Sequence, residues 1–252
     1  MKRGLGELLD CLQAVVLPQR CMVSRSMLIP GERCVTDAVW AVVQAQLAEG
    51  SCRRCMAPSP RGPVDRCPNC GRLPRAWDRG VRLGPYAGMW RRVIHAYKLG
   101  GRSDAAGWLA GLLAERVRAA GIRADWVVPV PQHWRRWLER GEGPVRSLCE
   151  PLAARLGLRV CPLLACTGLM PTRVGMSHAR RLEMAEREFC LNRFRVGLAA
   201  RLLAARGGQL AGRRVLLVDD VATSRGTLAA CGRLLRRAGL GVDVAVLAAT
   251  GG

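Results

Sequence analysis

Apolar residues are distributed along this chain in two regimes that meet near residues 79–83. Beyond that point short Val-rich runs alternate with Ala/Leu-rich stretches of helical period, the order expected when buried strands and crossover helices build a parallel sheet. Trp126 to Val130 and Val215 to Val218 read as continuous apolar strands, the form a strand takes when both of its faces are covered, and Val242 to Leu247 reads as a last strand. Helices are expected from a cap at Ser103 to about Ala120, with Gly121 closing it, and from Leu148 to Leu156, closed by Gly157. Two more are expected over Leu182 to Phe189 and from Thr227 to Ala238, closed by Gly239, while Val196 to Arg214 reads as a helix and loop leading into a strand. Strand, helix and strand across 215–247 imply a parallel pair joined by a right-handed crossover.

Before residue 80 the chain is rich in Cys, Pro and Arg. Leu5, Leu8, Leu9, Leu12, Val15 and Val16 share one helical face until Pro18, which predicts a short docking helix. Glu7 and Asp10 interrupt this stretch and no small-residue cleavage site follows, so a secretory signal is not expected. Thr36 is a fair cap for a second helix through Val39, Val42, Val43 and Leu47, ending at Gly50. These regimes divide the chain into a Cys-rich module, 1–80, and an α/β domain, 81–252.

Composition changes this picture in three respects. Half of the 252 residues are apolar, enough for a core, yet no apolar run approaches the roughly 20 residues of a membrane span. The formal charge of +21 favours nucleic acid or a polyanionic small molecule as partner, because such a field concentrates phosphates at the surface. Of the 40 basic residues only Lys2 and Lys98 are lysines, and two Tyr and two Phe offer little for base stacking beside seven Trp. Twelve cysteines with two CxxC pairs favour a metal site in a reducing compartment over a disulfide framework, which points to the cytoplasm.

Cys52, Cys55, Cys67 and Cys70 stand as CxxC, eleven residues, CxxC. Each such turn aims two sulfurs at one point, and four thiolates leave a tetrahedral Zn²⁺ no open position, so the site is expected to be structural. Upstream, Cys21 to Ser24 and Cys34 to Asp37 repeat the four-position spacing with two of the four places changed to Ser and Asp, a partly degenerate second ribbon. Asp can ligate zinc and Ser seldom does.

The string VLLVDDVATSRGT, residues 215–227, carries the remaining chemistry. Asp219 and Asp220 follow a buried strand, at the sheet end where open α/β folds place ligands, and two adjacent carboxylates suit the vicinal hydroxyls of a ribose. Thr223, Ser224, Arg225, Gly226 and Thr227 precede a helix, so amides, hydroxyls and the positive helix end can cradle a terminal phosphate. Together the parts describe a ribose 5-phosphate. Another basic segment follows the strand at Trp126 to Val130, where Arg135, Arg136 and Arg140 come after a proline-stiffened turn and can grip phosphate oxygens bidentately.

With these motifs in place the chain resembles the ComF family of phosphoribosyltransferase-like proteins, in which cysteine ribbons precede such a domain. The likeness covers nearly the whole chain and rests on VLLVDDVATSRGT, on IHAYKLGGR at 94–102 and on VVPVPQHWRRWLERG at 127–141. It implies a type I phosphoribosyltransferase-like parallel sheet flanked by helices, with an N-terminal zinc-ribbon module. It also implies that Lys98 and the PVP turn with Arg135, Arg136 and Arg140 line the pyrophosphate side.

Departures from the family pattern are specific. Where the family continues RGFNQ, this chain has Arg140, Gly141, Glu142, Gly143 and Pro144. Arg225 stands where the loop TTGxT has its glycine, with Gly226 one position late, so that either the loop amides are redirected or the guanidinium supplies its own phosphate contact. In PTRVGMSHARRLEMAEREF, Arg173 and Met184 stand at the Gln and Asn places while Ser177, Arg181 and Phe189 are kept. Two functions follow as expectations. One is binding of phosphoribosyl pyrophosphate or a related nucleotide, with Mg²⁺ bridging pyrophosphate and ribose and with phosphoribosyl transfer if the site is active. The other, implied by the resemblance, is a non-enzymatic adaptor in DNA uptake that contacts single-stranded DNA or DNA-uptake proteins.

Overall fold

The structure, a computed structural model, describes residues 20–28, 34–47, 49–59, 62–68, 70, 76–99, 103–132, 143–168 and 187–251. The expected N-terminal helix, the arginines at 135, 136 and 140, and Arg173, Ser177, Arg181 and Met184 lie outside them. In chain order the elements are α1 (Asp37–Leu47), β1 (Gly80–Pro85), α2 (Gly88–Leu99), α3 (Ala106–Ala119), β2 (Trp126–Pro129), α4 (Pro144–Leu156), β3 (Arg159–Val160), β4 (Leu164–Cys166), β5 (Phe189–Leu191), α5 (Arg193–Ala204), β6 (Arg214–Ala222), α6 (Gly226–Arg237) and β7 (Gly241–Ala249).

Five strands form one parallel sheet in the order β1-β7-β6-β2-β3, and β4 with β5 makes a separate antiparallel pair. Successive residues of β6 feed opposite cores, as the two-residue period of a strand requires. Leu216 and Val218 join Trp90 of α2, Leu109 of α3 and Leu148 of α4 on one face. Val215 and Leu217 join Leu228 and Leu235 of α6, with Leu164 and Phe189 of the small sheet, on the other. This is a sheet with helices on both faces. At the α3–α4 contact Leu109, Leu113, Leu148 and Leu152 have no exposed surface, and each contributes about 1.5–3 kcal/mol by leaving water.

The Cys-rich part shares these cores. Met56, Ala76 and Trp77 are buried with α6 and β7, and the Trp77 indole donates to the Arg54 carbonyl at 2.6 Å. At the opposite, N-terminal end of the strands a charge network closes the sheet: buried Asp243 accepts from the Arg79 amide at 3.0 Å and from Arg214 Nη2 at 2.8 Å.

Several elements differ from expectation for identifiable reasons. α4 starts at Pro144, earlier than Leu148, because proline at the first helical position loses no hydrogen bond there. α3 starts at Ala106 after a short 3₁₀ turn, Ser103–Ala105, with no side-chain cap. Phe189 belongs to strand β5 and not to a helix, since Cys166 and Phe189 pair across the small sheet. Finally, β6 continues to Ala222, so Asp219 and Asp220 lie within the strand, and Asp219 pairs in register with Val246 of β7.

Candidate functional site

The carboxyl ends of β2, β6 and β7 converge on one edge of the sheet. The Val130 amide donates to Val218 O at 2.9 Å and the Thr250 amide to Ala222 O at 3.0 Å, which carries the PVP turn and the chain end beside the acidic pair. Asp219 Oδ1 accepts the Asp220 amide at 2.9 Å, fixing its carboxylate against the strand. On α2, Lys98 reaches Asp220, with Nζ 2.7 Å from Oδ2. The structure therefore brings together Lys98 and the acidic pair, residues 121 positions apart or more, because α2 packs through Val93, Ile94 and Tyr97 on the sheet face beneath them.

The two carboxyl groups are unequal. Burial, and after it the charge of Asp220, pushes Asp219 up from 3.8 to about 8. A carboxyl held up in this way keeps a proton with which Asp219 can donate as well as accept, while Asp220 Oδ2 faces the Lys98 ammonium. A diol with two hydroxyls to place finds one acceptor and one donor–acceptor here.

Residues 223–225 turn from β6 into α6. The first amides of α6 have no intrahelical acceptor, and its dipole favours an anion at this end. Ser224 Oγ accepts the Gly226 amide at 3.5 Å, and Thr250 Oγ1 donates to Thr223 O at 3.0 Å. Arg225 caps the helix at φ +58°, a left-handed conformation that a non-glycine residue seldom adopts. Its side chain is taken up by backbone carbonyls. It is buried, donating from Nε to Cys55 O at 2.7 Å and from Nη2 to Thr250 O at 2.8 Å. The guanidinium is thus held by the cysteine turn and by Thr250, and the loop offers its amides, Thr223, Ser224 and Thr227 besides. Near β2, Gln132 packs against Gly143, where an added Cβ would lie 1.4 Å from Gln132 Oε1.

The four sulfurs of Cys52, Cys55, Cys67 and Cys70 lie within 4.8 Å of one another. Cys52–Cys70 and Cys55–Cys67 are 3.3 Å apart and Cys67–Cys70 is 3.8 Å, against the ~3.8 Å between thiolates that each sit about 2.3 Å from one tetrahedral ion. Burial opposes ionisation of Cys52, yet backbone hydrogen bonds from Cys55 and Arg54 bring it down to about 7, while burial pushes Cys55 and Cys70 up. A divalent cation supplies the charge that lets all four ionise together. This donor set fits a closed zinc site, and it is the only group of three or more such side chains among the described residues.

The upstream turn copies the geometry of the first cysteine turn, with Cys21 at the place of Cys52 and Ser24 at that of Cys55. Cys21 donates to Ser26 O as Cys52 does to Ala57 O, and Arg25 donates to Cys21 O as Met56 does to Cys52 O, at 2.8, 2.9, 3.0 and 2.8 Å. Arg20 bridges Met27 as Ser51 bridges Pro58, and Arg25 and Met56 carry matching φ values of +66° and +63°. The Ser24 amide donates to Cys21 Sγ at 3.4 Å.

No family model matches the chain. Among curated proteins it is 30% identical over 193 residues to DNA utilization protein YhgH of Salmonella typhimurium, covering 75% of this chain and 78% of that one. Over 46 residues, 18% of this chain and 26% of the other, it is 56% identical to adenine phosphoribosyltransferase of Mycobacteroides abscessus. Among solved structures it is similar to adenine phosphoribosyltransferase of Thermoanaerobacter pseudethanolicus, with 19% identity, a TM-score of 0.34, and coverage of 57% of this chain and 67% of that one.

Proposed function

Because the chain belongs to the ComF-like family that includes DNA utilization protein YhgH, we propose that its sheet edge binds a phosphorylated ribose, namely phosphoribosyl pyrophosphate or a related nucleotide. The observation that carries this reading is the placement of the Lys98–Asp220 pair and Asp219 on the strand that runs into the 223–227 loop. Asp219 and Asp220 would hold the ribose hydroxyls, and the amides and hydroxyls of Thr223, Ser224, Gly226 and Thr227 would hold the 5-phosphate. Lys98 is near enough to serve the pyrophosphate side once the ligand draws it from Asp220; Arg135, Arg136 and Arg140 complete that side in this reading. Mg²⁺, which takes oxygen ligands such as those of pyrophosphate and ribose, would neutralise pyrophosphate charge when bound. Should transfer occur, these residues act by positioning the sugar and by stabilising charge on the leaving pyrophosphate.

Calorimetry with phosphoribosyl pyrophosphate and Mg²⁺ tests the reading. Saturable heat that disappears in the double variant Asp219→Asn, Asp220→Asn is expected, and no heat from the wild-type chain would reject it. A second reading has its own support in the name of the YhgH relatives and in the charge of +21. In it the chain is an adaptor in DNA uptake, contacting single-stranded DNA or protein partners. Salt-sensitive single-stranded DNA binding, indifferent to the two Asp→Asn changes, would favour it. Either way the four-thiol cluster is read as a structural zinc site and the compartment as the cytoplasm; no described cysteine is joined in a disulfide, and no helix among the described residues is long and apolar enough to cross a membrane.

A further inference from the structure

Arg225 joins three carbonyls with one buried guanidinium. Nε donates to Cys55 O at 2.7 Å, Nη2 to Thr250 O at 2.8 Å and Nη1 to Thr223 O at 3.5 Å. The three acceptors belong to different parts of the molecule: the first turn of the cysteine cluster, the residue just beyond β7, and the phosphate loop itself. A non-glycine residue at φ +58° persists where its surroundings over-determine it, and here the surroundings are these three bonds. Only 6% of Arg225 is exposed, so a displaced Cys55 carbonyl would leave a buried cation short of a partner, and the loop would have to move to recover one.

We propose that Arg225 is a positioning residue that transmits the state of the Cys52/Cys55/Cys67/Cys70 cluster to the 223–227 loop. An ion held by Cys52 and Cys55 fixes the turn that presents the Cys55 carbonyl; that carbonyl orients the guanidinium; and the guanidinium sets the backbone angle from which the α6 amides project. The contribution of the loop to phosphate binding rests on the function proposed above, but the mechanical link does not. Coupling of this kind is reciprocal, so a phosphate held by the loop tightens metal binding by the factor by which metal tightens phosphate binding.

Hydrogen exchange on the full chain, zinc-loaded and after chelation, reads the link directly. Amides of Gly226 to Ala230 are expected to exchange about fivefold faster or more without metal, while those of β4 and β5 keep their rates. Arg225→Gly tolerates the left-handed angle without strain but has no side chain to tether, and its loop amides should exchange at one rate with and without metal. A wild-type loop indifferent to chelation, a uniform acceleration that includes β4 and β5, or a glycine variant that keeps the response overturns the proposal. Should the glycine variant not fold, Arg225→Lys, which cannot span three carbonyls, should show a diminished response, and an undiminished one overturns it equally. Zinc affinity measured by chelator competition, with and without saturating ribose 5-phosphate, then separates the two readings. A loop that responds to zinc in a chain that binds no ribose 5-phosphate supports the tether and rejects the phosphate site.

Discussion

Lys98 Nζ lies 2.7 Å from Asp220 Oδ2, joining a helix and a strand at the carboxyl edge of the sheet. The pair is neither fully buried nor a surface pair, with side chains 31% and 11% exposed. Its loss should therefore cost between the ~0–1 kcal/mol of exposed pairs and the ~3–5 kcal/mol of broken buried ones. Lys98→Met is expected to lower stability by roughly 2 kcal/mol in urea titration. A midpoint equal to that of the wild type would show that the pair contributes nothing.

Asp219 makes stability depend on pH. Its carboxyl titrates near 3.8 when exposed and about 8 in the folded chain, through burial first and Asp220 second. The folded state thus holds a proton that the unfolded state releases over that range. This group's stabilisation is complete below about pH 4 and is lost as pH rises through about 8. Denaturation midpoints should fall from mildly acidic to alkaline pH, and Asp219→Asn, which cannot ionise, should flatten that fall. Parallel slopes for the two proteins would refute the assignment.

Metal content gives a third check. Elemental analysis should return about one zinc per chain, as one closed four-thiolate site requires, and Cys55→Ser or Cys67→Ser should bring it towards zero. Two per chain would mean that the Cys21 turn still binds.

Two glycines predict opposite signs for the same substitution. Gly197, in the middle of α5, has no described atom within 4 Å of an added Cβ, so Gly197→Ala should stabilise by about 0.5–1 kcal/mol through helix propensity and unfolded-state entropy. At Gly232 in α6 the Cβ would stand 2.5 Å from the Ala76 carbonyl oxygen. Backbone cannot yield cheaply there, and Gly232→Ala should destabilise by about 1–3 kcal/mol. Chemical denaturation of both variants decides the matter, and equal signs would contradict this packing.

The strands that were legible in the sequence are those with uninterrupted apolar runs, β2, β6 and β7, and the helices are those with a glycine stop, such as α4 at Gly157. β1 was hidden because Gly80, Arg82 and Gly84 break its apolar run, although Arg82 is buried in the folded chain. The small β4–β5 pair, three residues a side, is too short to carry a period. At the site, residue types and spacing pointed to the acidic pair, the loop and the cysteines, which are local in sequence. Family likeness puts Lys98 on the pyrophosphate side, and its contact with Asp220 comes from tertiary packing. The direction of Arg225 could not be read at all, since its partners Cys55 and Thr250 are brought to it by tertiary packing.

The paired turns at Cys21 and Cys52 give the molecule an internal control. Each has the two matching backbone hydrogen bonds and a left-handed residue at the same place, yet among the described residues only the Cys52 turn belongs to a group of three or more side chains that could hold an ion. A chelator should loosen one copy and spare its twin within the same chain, so what an ion adds to such a turn can be read as a difference inside one polypeptide, free of variation between samples.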